Sequence, residues 1–199
     1  MNQLQKSKPL SGILVIDFTH VLSGPFCTMM LADQGARVIK IEQPGTGDDS
    51  RAFGPFYEDH SSVYFEFVNR GKESITLNLK DADDLNLAKR MISRADVVVE
   101  NFRPGTMERL GLAPDNLLKQ YPRLIVCSIS GFGQTGPMKL EPAYDTVVQA
   151  LSGLMIVTVG NRQYPGNPIK FGGFDSSCAD TPPPALGSDN DKIRDYFNQ

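Results

Sequence analysis

Little in this sequence is basic, membrane-like or organised by cysteine. Lys and Arg number 20 against 23 Asp and Glu, a formal net charge of −3, so no surplus of cations is available to neutralise a nucleic-acid backbone or an anionic bilayer. Neither nucleic acid nor a membrane is an expected partner. No apolar run approaches the roughly 20 residues that a spanning helix needs, and the opening MNQLQKSKPLSG lacks the apolar core of a signal peptide. A cytoplasmic location is the expectation. The three cysteines, Cys27, Cys127 and Cys178, are odd in number and show no CxxC spacing, which points to reduced thiols rather than disulfides or zinc. Repeats of solenoid length are absent too, and Pro182–Pro184 is the sole low-complexity tract.

What is present suffices for one sizeable core: 40% of the 199 residues are hydrophobic and 22% charged, a soluble globular balance. ILVIDF is a short β-branched run that ends in the polar cluster THVLSGP, after which FCTMMLADQGA reads as a helix closed by Gly35. RVIKIEQPG follows as a second strand ending at Glu42 and a Pro-Gly turn. SVYFEFVNRGKESITLNL brings an aromatic-rich segment and another extended piece, and KDADDLNLAKRMISRADVVVENF an amphipathic helix running into a strand. GTMERLGLAPDNLLKQYP is helical with a break between Gly111 and Pro114, and RLIVCSISGFG reads as a further buried strand. Strand and helix alternate, which predicts an α/β fold with a doubly wound, mostly parallel, Rossmann-like sheet over residues 1–158. From about Gly160 the chain turns rich in Gly, Pro, Ser and Asn, and 159–199 reads as an extended C-terminal tail.

In such sheets ligands bind beyond the carboxyl ends of the strands, where loops and helix N-termini present N–H groups to anions. Three polar clusters fall there: THVLSGP, ENFRPG and SGFGQTGP, carrying His20, Ser23, Asn101, Arg103 and Gln134 as hydrogen-bonding side chains. Their small residues let a ligand approach the backbone. A strand, a loop, a helix and a second strand ending in Glu42 also imitate the opening of a dinucleotide site. However, the loop reads THVLSGP where GxGxxG is needed, and the bulky Val21-Leu22 pair disfavours close pyrophosphate docking.

Successive blocks, VIDFTHVLSGPFCTMMLADQGARVIKIEQPGTGDDSR, NRGKESITLNLK, ADVVVENFRPGTMERLGL, SISGFGQTGP and PAYDTVVQALSGLM, resemble those of family III CoA-transferases in order and spacing, the formyl-CoA and oxalate CoA-transferase branch most of all. The resemblance covers roughly residues 9–158. It implies that coenzyme A or an acyl-CoA is bound as substrate, with no permanently held cofactor or metal. It places His20, Leu22 and Ser23 after the first strand and Leu77 and Lys80 at the adenine and phosphate region, with Asn101, Phe102, Arg103 and Arg109 completing the site. Lys80, Arg103 and Arg109 would meet phosphates while Phe102 and Leu77 line adenine or pantetheine. Gln43 stands where some relatives have arginine. Taken singly, His20 could cap a helix, Asn101 could hold a turn, and the arginines could be solvated charges.

The resemblance also implies the chemistry: an aspartate attacks the acyl-CoA thioester to give a mixed anhydride, and the released thiolate returns to form an aspartyl-CoA thioester. A small carboxylic acid then resolves this intermediate. The nucleophile is expected shortly after SGLM in a PVxVGxxxxD segment, but the chain reads SGLMIVTVG and then PGNPIKFGGFDSSCADTPPPALGSDNDKIRDYF. That stretch resembles the family's extreme C-terminus, as though the middle were deleted, and the expectation is a weak or inactive transferase or a CoA-binding remnant. Asp175, Asp145 and Asp17 are nucleophile candidates by residue type alone, the last two fitting turn or strand-end roles. Cys27 and Cys127 read as structural thiols. The family's interlocked protomers make a homodimer the expected assembly, and an exposed apolar face would favour partner binding.

Overall fold

The computed structural model describes residues 8–152, 157–159 and 162–164. Two compact units are formed, Met1–Pro142 and Ala143–Gln199. In the first, the chain runs β1 (Leu14–Asp17), α1 (Ser23–Asp33), β2 (Arg37–Glu42), a 3-10 turn (Asp49–Ala52), α2 (Val63–Asn69), β3 (Lys72–Thr76), α3 (Ala82–Ile92), β4 (Val97–Glu100), α4 (Thr106–Arg109), α5 (Pro114–Gln120) and β5 (Ile125–Ser128). In the second, α6 (Asp145–Ser152) precedes β6 (Val157–Val159) and β7 (Arg162–Tyr164), an antiparallel pair. The tail foreseen from Gly160 thus opens on a paired strand. Among the described residues no helix is long and apolar enough to cross a membrane.

The five strands of the first unit are all parallel, in the order β3-β2-β1-β4-β5. The doubly wound α/β expectation therefore holds. Side-chain alternation builds two cores, one on each face: Val15, Val38 and Val99 pack with Leu31 and Ala32 of α1, while Ile16, Ile41 and Val98 pack with Ala88, Ile92 and Leu117 of α3 and α5. After β3 the chain returns to lay β4 on the far side of β1, so the order reverses between β1 and β4. That reversal opens a crevice at the strand ends, where such sheets hold ligands.

Local chemistry sets the helix ends. α1 closes in a Schellman motif, with Gly35 at φ +99°, its N–H donating to the Ala32 carbonyl and the Ala36 N–H to that of Leu31. Asp81 caps α3 by accepting from the Asp83 and Asp84 amides, with acids in the first turn and Lys89 and Arg90 in the last. The aromatic-rich stretch folds as α2 because Ser62 caps it, accepting from Phe65 N at 3.1 Å. One expectation is corrected: β5 is not a buried strand. It pairs only with β4 among the described residues, and Ile125 is 62% exposed.

Candidate functional site

Beyond the carboxyl ends of the strands lies a cleft of about 410 Å³, lined from β1 by Phe18, Thr19 and His20, from β2 by Lys40 to Gln43 and the Gly47–Asp49 turn, from β3 by Leu77 to Lys80, and from β4 and α4 by Phe102, Thr106 and Leu110. Strand-end carboxylates fold the loops that form it. Asp17, fully buried, accepts from the Thr19 amide (2.9 Å) and hydroxyl (2.5 Å), from Thr28 Oγ1 (2.6 Å) and from Lys72 Nζ (3.1 Å). Glu100, at the end of β4, accepts from Phe102 N at 2.8 Å. Burial pushes the Glu100 carboxyl up, against the pull of the Ser128 hydroxyl and that amide.

Two further ion pairs lie at the end of β2. Lys40 is 1% exposed and donates to Asp48 Oδ2 at 2.8 Å and to the Thr19 carbonyl at 2.6 Å. Burial alone would raise the Asp48 pKa, but the Lys40 ammonium and the Ser50 hydroxyl and amide hold it low. Glu42 is 5% exposed and takes both prongs of the Arg51 guanidinium at 2.7 Å, Ser74 Oγ at 2.6 Å and the Asp48 amide at 2.9 Å. Burial works against its ionisation, yet these donors outweigh it and hold Glu42 at about 2. A carboxylate so committed has little left for a ribose hydroxyl, which reinforces the missing glycine signature against a dinucleotide site.

Of the residues singled out in the sequence, His20, Leu77, Lys80 and Phe102 line the cleft together. The His20 and Phe102 rings meet at 5.7 Å, tilted by 57°, and Leu77 is buried. Asn101 does not line it; its side chain grips the His20 backbone, accepting from His20 N at 2.9 Å and donating to His20 O at 2.8 Å. Leu22 and Ser23 are exposed at the start of α1 and, like Arg103, are not part of the cleft wall. Arg109 donates to Thr106 Oγ1 at 2.7 Å and so sits beside that wall. Gln43 lines the cleft itself, and Gln134, exposed, donates to Ser130 Oγ at 3.4 Å.

The small residues of THVLSGP, Gly24 among them, read as room for a ligand at the backbone. Instead a Cβ at Gly24 would fall 2.3 Å from Thr19 Cβ, so glycine makes room for the buried threonine. His20 does not cap α1; Leu22 holds that position without a side-chain bond. Cys27 and Cys127 are free and half-buried, and burial raises both thiols, in keeping with structural roles. Asp17 is committed to its four donors, and Asp145 sits exposed at the first turn of α6 and accepts from Gln149 Nε2. Asp175 and Cys178 lie outside the described residues.

The residues that sequence reasoning passed over are Lys40, Asp48, Asn78 and Thr106. A signal for the first existed: a lysine between Ile39 and Ile41 in a central strand has to bury its charge, and so needs a carboxylate partner.

An open parallel sheet with a crevice at its switch point defines a doubly wound α/β domain. Within that class, the chain belongs to CoA-transferase family III, whose family model matches residues 10–179. It is 58% identical over 166 residues to an acetyl-CoA:oxalate CoA-transferase of Acetobacter aceti, covering 83% of this chain and 41% of that protein. It is 46% identical over 165 residues to a succinyl-CoA:glutarate CoA-transferase of Mus musculus, covering 83% and 37%. A CAIB/BAIF family protein from Brucella suis shares the fold with a TM-score of 0.73 at 39% identity, covering 84% of this chain and 44% of that one. The chain thus spans about two fifths of the length of the curated relatives it matches.

Proposed function

We propose that this chain binds coenzyme A, or the CoA part of an acyl-CoA, in the cleft at the ends of β1 to β4, as the CoA-binding portion of a CoA-transferase. One observation carries the reading: His20, Leu77, Lys80 and Phe102, delivered by three separate strand ends, line a single cleft. Leu77 and the His20–Phe102 ring pair offer apolar and aromatic surface to adenine or pantetheine. Lys80, exposed at the rim and without an ion-pair partner among the described residues, offers a point charge to phosphate, with Arg109 and Arg103 nearby in sequence on the β4–α4 side. Two of the three lining carboxylates, Asp48 and Glu42, are neutralised from within by Lys40 and Arg51, and the third, Asp49, is exposed to solvent, which screens its charge from an anionic ligand. Millimolar CoA is expected to raise the melting temperature, since a ligand that binds only the folded state stabilises it. Lys80→Ala should weaken binding about tenfold, the worth of one charge-assisted phosphate contact, and flatten its salt dependence. Unchanged affinity would remove Lys80 from the site.

The substrates in this reading are an acyl-CoA and a small carboxylic acid, the pairing that the relatives' names state for those proteins. We propose further that transfer by this chain is weak or absent. Asp17 is held by structural bonds, and the segment after Met155 departs from the nucleophile pattern that the family resemblance implies. Incubation with oxalyl-, formyl- or succinyl-CoA, followed by hydroxylamine and mass spectrometry, should yield no hydroxamate. A hydroxamate on any aspartate would locate a nucleophile and overturn this part of the proposal. A cytoplasmic setting, suggested by an odd number of cysteines without CxxC spacing, and a homodimer, on the family resemblance, complete the proposal.

A further inference from the structure

Val21 has φ +65°, a left-handed conformation that a β-branched residue adopts only when its surroundings enforce it. The enforcement is visible bond by bond. The Thr19 amide donates to Asp17, the Thr19 carbonyl accepts from Lys40, the His20 amide donates to Asn101, the His20 carbonyl accepts from Asn101, and the Val21 amide donates to Asp48 Oδ1 at 3.1 Å. Five consecutive backbone groups are therefore held by side chains from β1, β2, the loop after β2 and the loop after β4. A loop of this kind usually satisfies its polar groups with water or with its own neighbours. Here the partners include an ion pair, Lys40 to Asp48, whose two side chains are 2% and 1% exposed.

We infer that Lys40, Asp48 and Asn101 are positioning residues: they clamp Thr19–Val21 in a strained turn that fixes the His20 ring against Phe102 in the cleft, so that the wall is formed before ligand arrives. The inference rests on the reading of the cleft as a CoA site. It gives Asn101 a part different from direct ligand contact, since both ends of its amide are already used on His20. Preorganisation of this kind lowers the ordering cost of binding, and a turn freed of its clamp would leave the left-handed state for relaxed conformers most of the time, lowering apparent affinity by the fraction lost.

The test uses the full chain with Asn101→Ala, Asp48→Ala and Val21→Gly, alone and combined, reading CoA affinity by calorimetry and exchange of the His20 and Val21 amides by mass spectrometry or NMR. Asn101→Ala lies outside the buried ion pair and so keeps the test open if Asp48→Ala fails to fold. Each clamp variant that folds should bind CoA about tenfold or more weakly, with the His20 or Val21 amide exchanging faster. Glycine occupies the left-handed region without steric cost, so Val21→Gly added to either variant should recover most of the lost affinity. Because glycine also relieves strain in the fold, melting temperatures are read alongside: affinity lost and recovered only in step with them marks a role confined to stability and overturns the inference. Affinity equal to wild type in Asn101→Ala, or no recovery on adding Val21→Gly, overturns the inference. If the wild type binds no CoA, the cleft assignment fails, and the amide exchange alone still decides whether the clamp exists: unchanged exchange in Asn101→Ala would end it.

Discussion

Lys72→Met is expected to destabilise the fold by about 3–5 kcal/mol, the range for removing one partner of a buried ion pair. Lys72 springs from β3, its side chain 2% exposed, and its ammonium reaches Asp17 Oδ2, the Pro25 carbonyl and Asn69 Oδ1 at 3.1, 3.0 and 2.8 Å. It thereby ties β3 to the end of β1 and to the first turn of α1. Without it, the Asp17 carboxylate keeps its three hydroxyl and amide donors but loses its countercharge in a site with no access to water. A loss of this size is a large share of an ordinary domain's stability, typically about 5–15 kcal/mol. Urea denaturation would show it as a lower midpoint with an unchanged slope. The double variant Asp17→Asn/Lys72→Met should be less destabilised than the sum of the two single variants, because neither buried charge is then left alone. Simple additivity would mean that the two do not act as a pair.

Acid should uncouple a second structural element. The Glu42 carboxyl is held at about 2, below its ordinary 4.5, because Arg51, Ser74 and the Asp48 amide overcome the effect of burial. A carboxyl depressed on folding contributes stability that is complete above its unfolded pKa and is lost as pH falls through its folded one. The expected loss therefore runs from about pH 5 down to about pH 2, with Asp48, also depressed by Lys40, adding to the same limb. Arg51 is partly exposed, 42% at its side chain, so solvent screening reduces the worth of its pairing to about 2 kcal/mol. Arg51→Ala should cost about that much near neutrality, and its deficit should shrink as pH falls through about 2, below which Glu42 is neutral in both proteins. Some deficit should survive, because Arg51 also lies 3.7 Å over the Phe65 ring. A deficit that does not change with pH would show that Glu42 is not the group Arg51 stabilises.

The parts of this molecule that announce themselves in the sequence are those governed by period and punctuation. β-branched runs ending in polar clusters marked β1, β2 and β4, Gly35 marked the end of α1, and Pro114 marked the start of α5, each through local preferences that the surroundings reinforce. Sheet order was legible only as a class, since pairing of β1 with both β2 and β4 depends on contacts distant in sequence. The candidate site divides along the same line. His20 stood out because it follows a strand end, where the fold rule directs attention, whereas Leu77, Lys80 and Phe102 entered through the resemblance to family III CoA-transferases and not through any local pattern. The partners that shape the backbone there did not stand out: Asp48 lies in a Gly-rich turn that reads as surface, yet it is 4% exposed and reaches back across the sheet end to Val21. Asn101 was noticed for its donors, and only the three-dimensional arrangement shows both ends of its amide engaged on one residue. The strain at Val21 has no local signature at all, because a valine written after histidine does not declare its φ.

The most direct test of the central claim is calorimetric titration of coenzyme A into the wild-type chain, repeated with Phe102→Ala. One saturable site per chain in the wild type, weakened at least about tenfold when the ring that packs on His20 is removed, is the predicted result. An absence of binding at millimolar CoA, or equal affinity in the two proteins, would contradict the assignment of the cleft as the CoA site.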